Sequence, residues 1–255
     1  MKRLVAPPLR WALRRAGYEV VRPEDFVQAP YPPDCDEWTA ALFETVKPFT
    51  LTSIERVMAL VAAVEHVERA GVAGALVECG VWRGGSAMVM ASTLLRLGVT
   101  DREIHLYDTY THMPDPGPED VDLYGVPAAD MIEEARAAEA FRYLPIDEVR
   151  AALASTGYPM ERFHLVEGLV EDTLPAHAPA EVALCRLDTD WYESTRHELE
   201  QLWPRIAPGG VLIVDDYGHF MGAKKAVDEY FEKEGEAVLL QRIDFTGRLV
   251  LKPSR

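Results

Sequence analysis

The chain predicts an open α/β domain with a mostly parallel, seven-stranded sheet that finishes in a C-terminal antiparallel hairpin. Three observations carry this. Short apolar runs alternate with segments of helical period from about residue 50 onward. The run ending at Glu78 passes directly into Cys79-Gly80-Val81-Trp82-Arg83-Gly84-Gly85-Ser86, a glycine-rich turn opening a helix. Four aspartates close two later runs, in Leu187-Asp188-Thr189-Asp190 and Val214-Asp215-Asp216-Tyr217. An open α/β sheet binds its ligands at that edge of its strands.

Taken in order, residues 1–47 mix a short amphipathic stretch, 9–17, with the turn-rich Ala29-Pro30-Tyr31-Pro32-Pro33-Asp34, and read as an arm or lid that does not fold alone. Thr52-Ser53-Ile54-Glu55 has capping-box spacing, and Ile54, Val57, Met58, Val61 and Val64 recur on one helical face up to a stop at Gly71. The first strand is 75–78, followed by a helix over 86–97 that is apolar nearly all round and therefore buried. A second strand, 103–107, ends at Asp108, and the Pro-, Gly- and Asp-rich loop 109–128 is too long for a routine connection. Helices are expected over 129–143 and 146–155, and strands over 163–167 and 181–187. A helix over 193–203 precedes Pro208-Gly209-Gly210 and the central strand 211–214. A helix over 224–232 follows, and 237–243 and 248–251 pair across Asp244-Phe245-Thr246-Gly247 as the edge hairpin.

The 255 residues suffice for one large domain, divided into an arm over 1–50 and an α/β domain over 51–255. A formal charge of −16 argues against a broad face for nucleic acid or an anionic membrane and points to a small-molecule substrate. Of the three cysteines, Cys79 and Cys185 lie inside apolar runs as buried thiols, which fits a reducing compartment. Pro7, Pro8 and the recurring arginines interrupt any apolar segment near the start, so a cytoplasmic enzyme is expected. The basic arm, with Lys2, Arg3, Arg10, Arg14 and Arg15, suggests subunit contacts in a homo-oligomer.

The turn from Glu78 to Ser86 has glycines at 80, 84 and 85 and lacks the G-x-G-x-x-G spacing of pyrophosphate binders. It suits a cofactor with an amino-acid end, received by Glu78, Gly80, Val81 and Ser86. Asp108 stands where nucleoside-binding α/β folds place a carboxylate for ribose hydroxyls, and as a lone acid it serves equally as a turn cap. Asp188, Asp215 and Asp216 would be expensive to crowd together without a cation, and oxygen-only ligation favours Mg²⁺; the alternative makes Asp190 an N-cap of the helix beginning near Glu193 and Asp215-Asp216 a solvated loop start. Asp188 would hold the metal near the reacting hydroxyl and Asp190 is placed to act as general base, with His219 as the alternative. Trp191 and Tyr192 wall the acceptor pocket or pack under the helix.

These segments resemble one family. Residues 76–86, Tyr107-Asp108-Thr109-Tyr110 with Met113-Pro114, Glu167-Gly168-Leu169-Val170-Glu171-Asp172-Thr173-Leu174-Pro175, residues 186–195 and residues 209–217 look like the macrocin-type O-methyltransferases, in the family's order. The resemblance runs from about residue 47 to 231 and implies a class I methyltransferase, Rossmann-like sheet. It further implies S-adenosylmethionine over the Glu78–Ser86 turn, Asp108 on the ribose, and Gly168 to Val170 near the adenine. It places Mg²⁺ on Asp188, Asp215 and Asp216, and matches Asp190 to the base of some members. Where other members carry histidine three residues after the first ligand, this chain carries Trp191. The implied reaction is methylation of a sugar hydroxyl on a natural-product glycoside, such as a macrolide or aminocoumarin. Two other readings remain at this point: a catechol-type phenol O-methyltransferase, in which vicinal ring oxygens meet the same metal, and a scaffold that keeps the fold without turnover.

Overall fold

The computed structural model describes residue 15, residues 31–137 and residues 142–253. Apart from Arg15, the amphipathic stretch expected over 9–17 lies outside them. A compact unit spans Asp36–Arg255, distinct from Met1–Cys35. Helix α1 (Glu37–Val46), expected only as part of an arm, therefore belongs to the sheet-bearing unit. Its cap explains why it forms: Asp36 Oδ1 accepts the Thr39 N–H at 2.6 Å, and the buried positions Thr39, Leu42 and Val46 give it one inward face.

Helix α2 (Ile54–Arg69) is capped by Ser53, whose hydroxyl accepts the Arg56 N–H at 3.2 Å. The capping-box spacing had pointed to Thr52. That hydroxyl is instead held by Arg186 at 3.1 Å, which leaves the neighbouring serine to cap. Next come strand β1 (Ala75–Cys79), helix α3 (Gly85–Arg96), strand β2 (Ile104–Asp108), helices α4 (Ala128–Ala137) and α5 (Ile146–Ala154), and strand β3 (Phe163–Glu167). Helix α6 (Val170–His177), strand β4 (Val182–Leu187), helix α7 (Tyr192–Leu202), strand β5 (Ile206–Val214), helix α8 (Met221–Glu234) and strands β6 (Gln241–Arg242) and β7 (Arg248–Leu251) complete the unit.

The sheet order is β3-β2-β1-β4-β5-β7-β6, parallel except for β7, which runs antiparallel to β5 and β6. This is the expected mostly parallel, seven-stranded sheet with its antiparallel end. Helix α6 was not expected, helix α8 runs past both ends of the expected 224–232, and residues 138–141 of the helix expected over 129–143 lie outside the described residues. Strand β5 begins at Ile206 because a register shift against β4 absorbs Pro208 and Gly209. Strand β6 has only two paired residues, and Leu239, in the expected strand, is 80% exposed. Helix α6 forms despite Pro175, with Val170 and Leu174 buried.

Alternation along the strands divides the core into two layers. Leu76, Leu106, Leu184 and Ile213 pack with α2, α3 and α5, whereas Val77, Cys79, Tyr107, Cys185, Leu212 and Val214 pack with α7 and α8. The strand order reverses between β1 and β4, so both flanks of the crevice there carry a loop from a strand's C-terminal end. No helix among the described residues is long and apolar enough to cross a membrane.

Candidate active site

The turn after β1 is built from backbone. Gly80 has φ 82°, and a Cβ there would meet the Asp188 carbonyl oxygen at 2.0 Å, so the loops after β1 and β4 touch main chain to main chain. The Asp188 N–H donates to Cys79 O at 2.9 Å across the same seam. Gly84, with φ 90°, opens α3. Asp108 Oδ2 accepts the Val81 and Trp82 N–H groups at 2.6 and 2.8 Å, and Oδ1 accepts the Tyr110 N–H at 2.8 Å. Asp108 is thus first a clamp on the turn. Two carboxylate oxygens have about four accepting positions; the Thr109 hydroxyl lies 3.5 Å from Oδ1 but its one proton has a closer acceptor in His112 O, which leaves the fourth position for a ribose hydroxyl. Glu78 is buried at the end of β1, and burial pushes its carboxyl up to about 7 against the pull of Arg186. Ser86, in the first turn of α3, favours its ionised form, and Glu78 Oε2 has no hydrogen-bond partner.

Across the seam, Asp188, Asp215 and Asp216 each offer an oxygen within 4.8 Å of the others. Two arginines absent from the sequence-derived site hold Asp188 and Asp215. Buried Arg186, on β4, donates to Glu78 at 2.8 Å, to Asp188 Oδ2 at 2.7 Å and to Asp215 Oδ1 at 2.7 Å. Arg56, in the first turn of α2, pairs with Asp215 Oδ2 and with Asp244. The signal for Arg186 was a charged residue inside an otherwise apolar strand, two positions before the acid it holds; Arg56 had no comparable signal on its amphipathic helix.

Asp216 Oδ2 is buried without a partner. Asp190 is hydrogen-bonded to Asp216, and burial together with Asp188 pushes Asp190 up to about 8. Asp188 and Asp216 are also pushed up, first by burial, then by neighbouring carboxylates against arginine attraction. The carboxyls of Glu78, Asp188, Asp190, Asp215 and Asp216 outnumber the guanidiniums of Arg56 and Arg186. A divalent cation fits this donor set through Asp216 Oδ2, which has no partner, and through the Asp188 oxygen outside its arginine bond; both Asp215 oxygens are bonded to arginine, so Asp215 would add a ligand only through a remaining lone pair.

Around these acids lies a cleft with two lobes of about 440 and 220 Å³. Gly80, Asp108, Asp188, Asp190 and Trp191 line both lobes. Gly168 and Val170 line the smaller, whereas Glu78, Val81, Ser86, Asp215, Asp216 and His219 line the larger. All the residues expected to bind cofactor or metal therefore border one cleft. His219 stacks edge-on with Phe220, and burial lowers its proton affinity. Trp191 is buried and its Nε1 donates to Pro114 O at 3.0 Å, tying the long loop to the start of α7. Asp120 in that loop accepts the Tyr192 N–H at 2.8 Å and the Gly117 N–H at 2.7 Å. The loop is bolted to the scaffold at its base. Trp82, Tyr110 and Asp190, with φ 50°, 53° and 68°, are left-handed without being glycine, one beyond each of β1, β2 and β4. Each conformation costs about 1–2 kcal/mol, and such residues concentrate at functional sites.

The profile of the macrocin-O-methyltransferase (TylF) family matches residues 36–251. The chain belongs to that family. Among macrocin-type relatives, a tetracenomycin-rhamnose 4′-O-methyltransferase of Streptomyces olivaceus is 36% identical over 78% of this chain and 73% of its own length. The demethyldecarbamoylnovobiocin O-methyltransferase of Streptomyces niveus is 35% identical over the same shares. The solved O-methyltransferase NovP is 32% identical, with a TM-score of 0.72 over 81% of this chain and 83% of that one. The protein is thus an O-methyltransferase with a class I sheet, and the cleft at the β1/β4 reversal is its candidate active site.

Proposed function

We propose that the protein transfers a methyl group from S-adenosylmethionine to a hydroxyl of a sugar carried on a natural product, with Mg²⁺ among Asp188, Asp215 and Asp216. The observation that carries this reading is the convergence of that acid cluster with the Glu78–Ser86 turn in one cleft. The relatives that act on tetracenomycin-rhamnose and mycinamicin support the sugar acceptor. When bound, S-adenosylmethionine supplies a methyl carbon on a sulfonium, and Mg²⁺ supplies positive charge that favours an ionised hydroxyl.

The chain's own residues do the rest. Glu78, with an unpartnered oxygen, receives the ammonium of the amino-acid end, while Gly80, Val81 and Ser86 border it and Asp108 keeps the turn shut. Gly168 and Val170 border the lobe that takes the adenosine end. Asp190 takes the proton of the acceptor hydroxyl and so would leave its oxygen ready for the sulfonium methyl that the cofactor would supply. Trp191 and Phe220 wall the acceptor side and limit water.

Calorimetric titration with S-adenosylhomocysteine, with Mg²⁺ and after chelation, tests the cofactor; micromolar binding is expected, and none in either condition overturns the reading. A panel of glycosides and catechols then identifies the acceptor. Asp188→Asn is expected to abolish metal-dependent turnover with cofactor affinity near wild type. Asp190→Asn is expected to lower kcat at least about 100-fold. If His219→Gln instead causes that loss while Asp190→Asn turns over normally, the base is His219.

A further inference from the structure

One buried acid takes no part in this chemistry. Glu198, on α7, is 0% exposed and lies in the layer of Cys79, Cys185 and Leu199. Burial pushes its carboxyl well up, and the Cys79 thiol is beside it. A polar side chain in such a place is expensive to keep unless it holds something. What it holds is Thr189: the Thr189 hydroxyl donates to Glu198 Oε1 at 2.9 Å.

Thr189 is the middle residue of Asp188-Thr189-Asp190. The main chain anchors the start of this turn through Asp188 N–H to Cys79 O at 2.9 Å, and the Trp191 N–H closes back over Asp190 onto Thr189 O at 2.8 Å. Inside that closure stands Asp190, left-handed at φ 68°. Arg186 ties the turn to β4 through Asp188, and the Thr189 hydroxyl ties it to α7 from the other side, while Asp188 and Asp190 line the cleft. A residue in a sparsely populated conformation persists only where its surroundings over-determine it, and the Thr189 tie adds to that restraint.

We propose that Glu198 is a positioning residue: acting through Thr189, it keeps Asp190 in its left-handed conformation and so fixes the Asp188 and Asp190 carboxylates for cation binding and proton removal. The activity arm of the test rests on the methyl-transfer reading; the other arm does not.

Four variants of the full chain separate positioning from packing. Glu198→Leu fills the volume without the hydrogen bond, Thr189→Val removes the bond from the other side, Glu198→Gln keeps an accepting oxygen, and the double variant combines the first two. Glu198→Leu and Thr189→Val are expected to lower kcat about 10–100-fold, with KM for S-adenosylmethionine within about threefold. The Tm of Glu198→Leu is expected at or above wild type, because no buried carboxyl remains to be desolvated. Glu198→Gln is expected to restore kcat to within about twofold, and the double variant to be no worse than either single one. Independently of turnover, hydrogen exchange of the peptide carrying residues 188–191 is expected to quicken about tenfold in Glu198→Leu and Thr189→Val but not in Glu198→Gln. If no acceptor is methylated by the wild type, the methyl-transfer reading fails and the exchange data still decide the inference. Unchanged exchange in Glu198→Leu and Thr189→Val, or wild-type kcat in both, overturns it.

Discussion

The two loops that meet at the β1/β4 seam lie in backbone contact yet are held in opposite ways. On the cofactor side, the turn after β1 is shaped by glycines and by one aspartate that accepts three backbone N–H groups. Its polar atoms are largely paired without any ligand. On the proposed metal side, the loops after β4 and β5 gather like charges that two arginines only partly offset, leaving an orphaned Asp216 oxygen. One half of the cleft is closed largely by its own backbone bonds, and the other keeps more carboxyls than guanidiniums. The lesson is that preorganisation can come from backbone geometry or from charge balance, and only the second depends on what is bound.

Removing the main counter-charge should break this contrast most severely. Arg186→Met leaves Glu78, Asp188 and Asp215 without their shared partner, which is expected to cost about 3–5 kcal/mol and lower Tm by about 10 °C. Scanning calorimetry is expected to show part of that loss recovered in Mg²⁺; equal losses with and without Mg²⁺ would place the metal side in the same class as the cofactor side. Gly80→Ala strikes the seam itself, where the Cβ would meet Asp188 O at 2.0 Å. A loss of about 3 kcal/mol is expected, by the same calorimetry, and it should not respond to Mg²⁺.

Asp108→Asn is the sharper probe of the backbone side, because an amide nitrogen cannot accept the N–H groups that the carboxylate holds. A cost of about 1–3 kcal/mol is expected, with roughly tenfold weaker S-adenosylhomocysteine binding. Mn²⁺ affinity, read by paramagnetic resonance, should stay at the wild-type value. The smallest effect lies away from the cleft. Burial, and then His164 stacked on it at 4.4 Å, push His105 on β2 down to about 4. Below its ordinary value of 6.5 the unfolded chain takes up a proton there and the folded chain does not, so stability falls as pH drops from 6.5 towards about 4. The ring's solvent-facing edge screens much of this, leaving on the order of 1 kcal/mol. His105→Phe should flatten that part of a denaturant-midpoint profile against pH, with or without Mg²⁺.

The cofactor side was legible because its signals are local: Gly80 and Gly84 sit at positive φ in one short turn, and Asp108 ends the next strand. The acids of the metal side were equally legible as strand-end residues. What held them was not, because it comes from far away in sequence. Arg56 reaches Asp215 from the helix before the sheet, and Asp244 reaches Arg56 from the turn before the last strand. Period and spacing report which face a residue occupies, not which charge meets it there. Glu198 was hidden for a related reason: on α7 it read as one polar residue among many, and only the packing shows it pointing into the core towards Thr189. The edge hairpin was overextended because the run over 237–243 alternates well enough for a strand, yet only Gln241 and Arg242 find partners in β7.

The close fit of Gly85 to the segment before α2 bears on exchanging parts between relatives. A Cβ at Gly85 would meet Phe49 O at 2.6 Å, so residues 47–50 form the outer wall against which the cofactor helix begins. A chimera joined at residue 50 would pair one parent's α3 with another parent's wall, and would also part α1 from the helices it packs against. A junction at Asp36, where the compact unit starts, moves the whole wall with the cleft it supports. Recombination libraries built on this scaffold should therefore take their crossover there.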